Sequence, residues 1–380
     1  MVHYRYTIVI AVALSVIRVL PVHPVRPAQR LSWATGYWHS PPAWGGLPVS
    51  AIDYSALTHI IHYAVLPNSD GTFEPQSLKY ITDYAADLTR AAHQNGVKVL
   101  ISVAQTASGG DCAGATKPAT LAHFISNLMN LVETHGYDGV DLDWEINVNP
   151  EQFTNLVRQL RQRLDARTPK GRLTGAFWEA TPYLARMQDA FDQINVMTYD
   201  NCSPAEGFSW HNSALYDAGG RRRRTVDWRI GQFASRIDRS RLGIGIPFYG
   251  YIWMGGAGSP TGGVTAPGQT WTVPPSMRPR DYRLIVSDPS LWRDSYKRRQ
   301  KAAGNVPYLS IDRPGAEGDV FVTYEDEISV SEKVHYAKIR GLGGVMIYEL
   351  SGDYFPDGRA KHPLLQSVKT AMRIAGNRIE

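Results

Sequence analysis

Apolar positions along the chain fall into two alternating rhythms. Eight short runs, Ala34–Trp38, His59–Ala64, Val97–Val103, Gly139–Glu145, Leu173–Trp178, Ile194–Tyr199, Leu242–Phe248 and Gly343–Glu349, have the length and β-branched character of strands. Between them, apolar residues return at helical spacing, as in Leu121, Phe124, Ile125, Leu128, Leu131 and Val132, with Gly136 at the C-cap. Another such stripe, Phe153, Leu156, Val157, Leu160 and Leu164, follows Asn149-Pro-Glu-Gln152, which reads as an N-cap, a first-turn proline and a capping-box glutamine. The last helix is expected to open on a capping box at Ser329-Val-Ser-Glu332 and to end at Gly341. Eight strands, each followed by a helix, predict an α/β chain folded as a (β/α)₈ TIM barrel. The rival, an open doubly wound sheet, does not normally carry charged residues at the ends of so many strands.

Two stretches break the alternation. Residues 250–324 form a long Gly- and Pro-rich excursion after strand seven, containing Trp271, Tyr282 and Val306-Pro-Tyr-Leu309. It is too long for a plain loop and is expected to carry structure of its own. Gly207–Arg224, with Trp210-His-Asn212, is a second long loop, expected on the same rim as the strand C-termini.

The chemistry concentrates in Asp138-Gly-Val-Asp-Leu-Asp-Trp-Glu145. With a period of two, Asp141, Asp143 and Glu145 share one face of the strand, while Val140, Leu142 and Trp144 share the other. Strands of a parallel barrel are normally apolar on both faces, and like charges this close cannot all ionise. Three readings are open. The acids could form a solvated edge, bind a hard cation, or act as a relay that raises the pKa of the outermost member into the range of a general acid. The cation reading lacks a histidine or further acid at ligand spacing, so no metal and no cofactor is expected. The relay is preferred.

Composition narrows the partners. The net charge of +5 is mild and is partly contributed by Arg5, Arg18, Arg26 and Arg30, and no basic stripe interleaved with aromatics suggests nucleic acid. Arg221–Arg224 is read as a solvated loop. The 10 Trp and 20 Tyr suit sugar rings, whose C–H faces stack on aromatic faces. Residues 7–20 are apolar but short and interrupted by Arg18, which fits a signal-peptide core better than a membrane span. Residues 1–28 are therefore expected to be a signal peptide on a secreted, monomeric protein whose catalytic barrel is 29–380. Cys112 and Cys202 both fall beyond strand ends; export would permit a disulfide, but spacing cannot establish one.

The acidic strand resembles the DxxDxDxE signature of the family 18 glycoside hydrolases, the chitinases and their relatives. Ile194-Asn-Val-Met-Thr-Tyr-Asp200, Leu242-Gly-Ile-Gly-Ile-Pro-Phe-Tyr-Gly250 and Gly341-Leu-Gly-Gly-Val-Met-Ile-Tyr-Glu-Leu350 resemble its sixth, seventh and eighth strand motifs. The resemblance implies retaining, substrate-assisted hydrolysis of β-1,4-linked N-acetylglucosamine polymers, the family being an exception to the two-carboxylate rule. It implies that Glu145 protonates the leaving oxygen and that Asp143 holds the substrate's acetamide. Asp141 would share a proton or hydrogen bond with Asp143, and Tyr199 would donate to the acetamide carbonyl. Asp200, Met197, Tyr348, Tyr37 and Tyr63 correspond to binding positions, although Tyr37 and Tyr63 could equally pack the barrel. The chain departs from the family at Ser102-Val-Ala-Gln-Thr106, where Ser-x-Gly-Gly and Trp are usual, and at Tyr348, where Trp is usual. An endo-β-N-acetylglucosaminidase or peptidoglycan hydrolase would share the acidic motif. A chitin-binding lectin would typically have lost the glutamate that Glu145 retains.

Overall fold

The computed structural model describes residues 30–41, 46–218, 224–293, 295–358 and 360–373; the expected leader, 1–28, lies outside them. Eight parallel strands close into a barrel: β1 (Trp33–His39), β2 (His59–Val65), β3 (Lys98–Gln105), β4 (Gly139–Trp144), β5 (Arg172–Phe177), β6 (Gln193–Val196), β7 (Leu242–Pro247) and β13 (Gly344–Tyr348). β13 pairs with β7 on one side and with β1 on the other, which closes the ring. The expected TIM barrel is thus the observed fold. Among the described residues, no helix is long and apolar enough to cross a membrane.

The period-two reading of β4 holds in three dimensions. Val140, Leu142 and Trp144 face outward into the layer shared with Phe153, Leu156 and Val157 of the helix Pro150–Asp165. Burying each large apolar side chain of that layer is worth about 1.5–3 kcal/mol. Asn149 caps this helix, accepting from the amides of Glu151 and Gln152, and Pro150 stands in its first turn. The opposite face of β4 looks into the barrel, where Tyr37, Ile61, Leu100, Met197, Tyr199 and Met346 form a separate cluster.

Two expectations about helices need correction. The capping box lies one turn earlier than expected, with Asp326 as N-cap of the helix Glu327–Ile339 and Ser329 returning the bond to the Asp326 amide. Aspartate, a strong N-cap acceptor, takes the role expected of Ser329, which becomes the third helical residue. That helix is not the last one either, since Pro363–Arg373 packs against it. β6 also stops at Val196 instead of Tyr199. Beyond it the Thr198 carbonyl accepts from the side chains of Asn201 and Ser213, so it no longer serves a strand ladder.

The excursion after β7 is a folded unit. Strands β8 (Tyr249–Met254), β9 (Ser276–Asp281), β10 (Tyr296–Gln300), β11 (Val306–Ile311) and β12 (Val320–Thr323) make an antiparallel sheet in the order β10-β11-β12-β8-β9. Trp253 and Phe321 of this sheet pack with Trp210 from the second long loop. His211 of the same loop sits 3.2 Å from Thr323 Oγ1 and 2.7 Å from Gln300 Oε1. The loop is therefore fastened to the insertion, and the two form one wall beside the barrel mouth. Beneath it, Lys333 and Glu325 make a 2.7 Å ion pair with side chains 0% and 1% exposed. No disulfide joins Cys112 and Cys202, both of which are buried.

Candidate active site

The three acids climb the inner face of β4 toward its C-terminal end and meet different surroundings at each step. Asp141 is fully buried and accepts three hydroxyls: Tyr37 of β1 at 2.8 Å, Ser102 of β3 at 3.1 Å and Thr174 of β5 at 2.5 Å. Burial raises its pKa to about 6 against the pull of these three donors. Asp143, 3% exposed, accepts from Tyr63 of β2 at 2.8 Å through Oδ2, while its buried Oδ1 has no hydrogen-bond partner. Burial, then the nearby charges of Glu145 and Asp141, hold this carboxyl well above the usual carboxylate range. Glu145 lies one residue past the strand, where its amide still donates to the Gln105 carbonyl at 3.0 Å. Its pKa is raised by burial, with the Asp200 charge adding to this, while Trp178 Nε1, 3.1 Å from Oε2, works in the opposite direction.

Asp143 thus feels the other two acids through their charges. The hydrogen bond expected between Asp141 and Asp143 is not among the contacts of Asp141, whose oxygens accept hydroxyls from β1, β3 and β5. Burial raises Asp143, and the charges of Glu145 above it and Asp141 below it add to the shift. Asp138, the first residue of the motif, belongs to the opposite end of the strand. There it accepts from the Val99 amide and lies 2.8 Å from His93 Nε2, stitching β4 to its neighbour.

Tyr199 and Asp200 arrive from the turn after β6. Tyr199 is 4% exposed, and its hydroxyl meets only the weak acceptor Met346 Sδ, 3.9 Å away. Its ring fits because position 245 of β7 is glycine, where a Cβ would lie 2.7 Å from the ring. Asp200 has a φ of 52°, a left-handed conformation that aspartate tolerates better than most residues, and Asn212 Oδ1 holds its amide at 2.7 Å. This turn delivers its carboxylate to Tyr249 at 2.6 Å and Tyr251 at 2.8 Å, both on β8 of the insertion. Burial raises the Asp200 pKa, and the two phenols oppose that shift.

Tyr348 ends β13 at the centre of an aromatic floor. It stacks on Tyr199 with centroids 5.9 Å apart and planes at 29°, meets Tyr63 edge-on, and lies 3.5 Å from His39 Nε2 through its hydroxyl. Burial lowers the His39 pKa to about 4, so the ring is neutral there near pH 7. The structure brings all nine sequence-predicted site residues to this end of the barrel, in unlike positions. Tyr37 and Met197 are 1% and 4% exposed and line the interior, whereas Tyr63, Asp200 and Tyr348 keep accessible surface. Tyr37 and Tyr63 both pack and hold: each is the phenol that positions one acid. Sequence reasoning missed Trp178, Thr174, Ser102, Tyr249, Tyr251 and His39 as partners. The available signals were Trp178 at the end of the fifth apolar run and the Tyr249-Gly-Tyr251 alternation after the seventh.

The fold is thus a closed parallel barrel with three acids along its fourth strand and aromatic rings gathered at the strand C-termini. The sequence pattern of the glycosyl hydrolases family 18 matches residues 34–353, and the chain belongs to that family. It is 30% identical over 273 residues to Chitinase A1 of Niallia circulans, covering 63% of this chain and 38% of the relative. It is 26% identical over 287 residues to Chitotriosidase-1 of Mus musculus, covering 66% and 58% of the two chains. The chain thus spans well under two thirds of these relatives. Among solved structures, the Ostrinia furnacalis Group IV chitinase in complex with allosamidin superposes with a TM-score of 0.75 over 90% of this chain and 98% of that one, at 22% identity. The class V chitinase from Nicotiana tobaccum gives 0.72 over 91% and 100%, at 21% identity.

Proposed function

We propose that the protein hydrolyses β-1,4 bonds next to N-acetylglucosamine in chitin or related polymers, with retention of configuration, using the substrate's own acetamide as nucleophile. The observation that carries this reading is Asp143 Oδ1, a buried carboxyl oxygen without a partner. An orphaned polar atom costs about 1–3 kcal/mol, and a bound acetamide N–H would relieve that cost. Glu145, raised in pKa and at the open end of the strand, donates its proton to the glycosidic oxygen as the C1–O bond breaks. The acetamide carbonyl oxygen closes on C1 to give an oxazolinium ion. Tyr199, whose hydroxyl lacks a strong protein acceptor, donates to that oxygen in the bound substrate and so orients it toward C1. Water then opens the ring at C1 and returns a proton to Glu145. Tyr63 holds Asp143 in place, and the charge of Asp141 discourages its ionisation. Tyr63, Asp200 and Tyr348 contact the sugar, while Tyr37 and Met197 support that surface from within.

Residues 1–28 are proposed as a secretory leader on a monomeric barrel comprising 29–380, on the strength of the apolar run 7–20. The mechanism is tested with N-acetylglucosamine oligomers and their fully deacetylated counterparts. Turnover of the first and at least 10³-fold slower turnover of the second is expected, since effective molarities of internal nucleophiles are large. Equal rates on both would demand a protein nucleophile. Binding of both without turnover would identify a sugar-binding protein.

A further inference from the structure

Arg229 belongs to the helix Val226–Ala234 and is 8% exposed, yet no step of the mechanism above uses it. Its guanidinium reaches two segments of the site at once. Nη1 donates to the Trp178 carbonyl at 2.8 Å, one residue past the end of β5, and Nη2 donates to Asn201 Oδ1 at 3.0 Å, in the turn that carries Tyr199 and Asp200. The same group lies 4.9 Å from the centre of the Trp178 ring. Arg229 is itself firmly seated. Thr225 caps its helix by accepting from the Trp228 amide, the Val226 amide donates to the Ala214 carbonyl at 2.9 Å, and Ile230 and Phe233 are buried in the core. Asn201 donates to the Thr198 carbonyl at 3.0 Å, so the acceptor is fixed as well.

Trp178 needs such a hold. Its indole donates to Glu145 Oε2 at 3.1 Å, a contact available to one orientation of the ring. β5 ends at Phe177, so the strand ladder does not fix the Trp178 backbone. A cavity of about 490 Å³ borders the half-buried ring, so close packing does not set its direction either. Tyr199 meets the ring edge-on, with centroids 6.0 Å apart. A guanidinium suits the remaining task, because its planar fork donates in two directions while its charge sits over an aromatic ring. Burying that charge is costly, and an apolar side chain would fill the space at less cost if packing were all that mattered.

From this geometry we infer that Arg229 is a positioning residue for the proton donor: it holds the Trp178 backbone and ring so that the indole N–H meets Glu145, and it ties that strand end to the Tyr199–Asp200 turn. The inference rests on the proposed role of Glu145 and adds a residue that acts on it through Trp178. The other titratable groups around Glu145 are Asp143 on its own strand, Asp200 and Tyr199 after β6, Tyr63 on β2 and Tyr348 on β13, and all of them stay in place in the test.

The test measures kcat/KM against pH on one N-acetylglucosamine tetramer for the full chain, for Arg229→Lys, Arg229→Met and Trp178→Phe, and for each arginine variant combined with Trp178→Phe. Lysine keeps the charge without the fork, and methionine keeps the length while removing the buried charge. Once Trp178 is released, Glu145 loses its donor and its pKa rises. The alkaline limb should then move up by as much as in Trp178→Phe, roughly one pH unit. In the Trp178→Phe background the same arginine substitutions should leave the limb where it is, since the contact is already gone. Either arginine variant closes this cycle by itself if the other fails to fold. A limb unmoved by both, with only the melting temperature lowered, makes Arg229 a structural anchor and overturns the inference. Equal shifts with and without Trp178 overturn it too, because charge would then act on Glu145 directly. Failure of the unsubstituted protein to cleave the tetramer would instead overturn the proposed hydrolysis, so the two failures are distinguishable.

Discussion

Replacing Trp178 with phenylalanine isolates one interaction that sets the working pH. The indole N–H lies 3.1 Å from Glu145 Oε2 and stabilises the charged carboxylate, so it holds the Glu145 pKa below the level that burial alone would impose. Trp178→Phe retains an aromatic ring facing Arg229 and Tyr199 but removes the donor. A hydrogen bond to a charged group is worth about 1.5–3 kcal/mol when dry. Glu145 is partly exposed, so solvent recovers some of that, leaving about 1–2 kcal/mol, or roughly one pH unit at 1.36 kcal/mol per unit. The sign follows from the role. A general acid must be protonated, activity is lost as pH rises through its pKa, and a raised pKa moves the alkaline limb upward. The assay is kcat/KM against pH for both proteins on one N-acetylglucosamine oligomer, which reports the free enzyme's titrating groups. An alkaline limb that stays put or moves to lower pH would refute the assignment of Glu145 as the acid that Trp178 tunes. A change in plateau height alone would not, because Phe also alters the shape of the cleft.

Glu145→Gln keeps the shape of the acid without its proton and should lower kcat by several orders of magnitude while oligosaccharide binding, followed by calorimetry, survives. Tyr348→Ala removes the centre of the aromatic floor and should weaken oligosaccharide binding by about 1–3 kcal/mol; a lower melting temperature with unchanged KM in the folded variant would make the ring mere packing. Lys333→Met leaves Glu325 buried without its partner and should cost about 3–5 kcal/mol in denaturant unfolding at neutral pH. Adding Glu325→Met should recover much of that loss.

What was legible from the chain alone had short-range causes. Strand alternation, helix stripes and the caps at Asn149 and Gly136 depend on residues a few positions apart, so the barrel and its order could be read from local pattern. The acidic face of β4 was legible for the same reason, because a period of two decides which side chains share a side. That carboxylates on an inward face must shift their pKa followed from the cost of buried charge. The family resemblance extended that reading to Tyr199, Asp200 and Tyr348, whose motifs lie on other strands.

Contacts that depend on the barrel closing could not be read this way. Tyr37 and Asp141 are 104 positions apart, Trp178 and Glu145 33, and Asp200 and Tyr249 49. Nothing in the sequence near one partner specifies the other, and the pairings exist only because strand stagger and the turn at Asp200 set their heights at the rim. The same closure decided that Tyr37 lies inside while Tyr348 lies at the surface, that Asp141 is saturated by hydroxyls, and that Asp143 keeps an oxygen unpartnered. Likewise Arg229 reaches the Trp178 carbonyl from a helix 51 positions later. Local periodicity determined which residues could serve the site, and the closed barrel decided which partner each one meets, because hydrogen bonds and desolvation act through space and not along the chain.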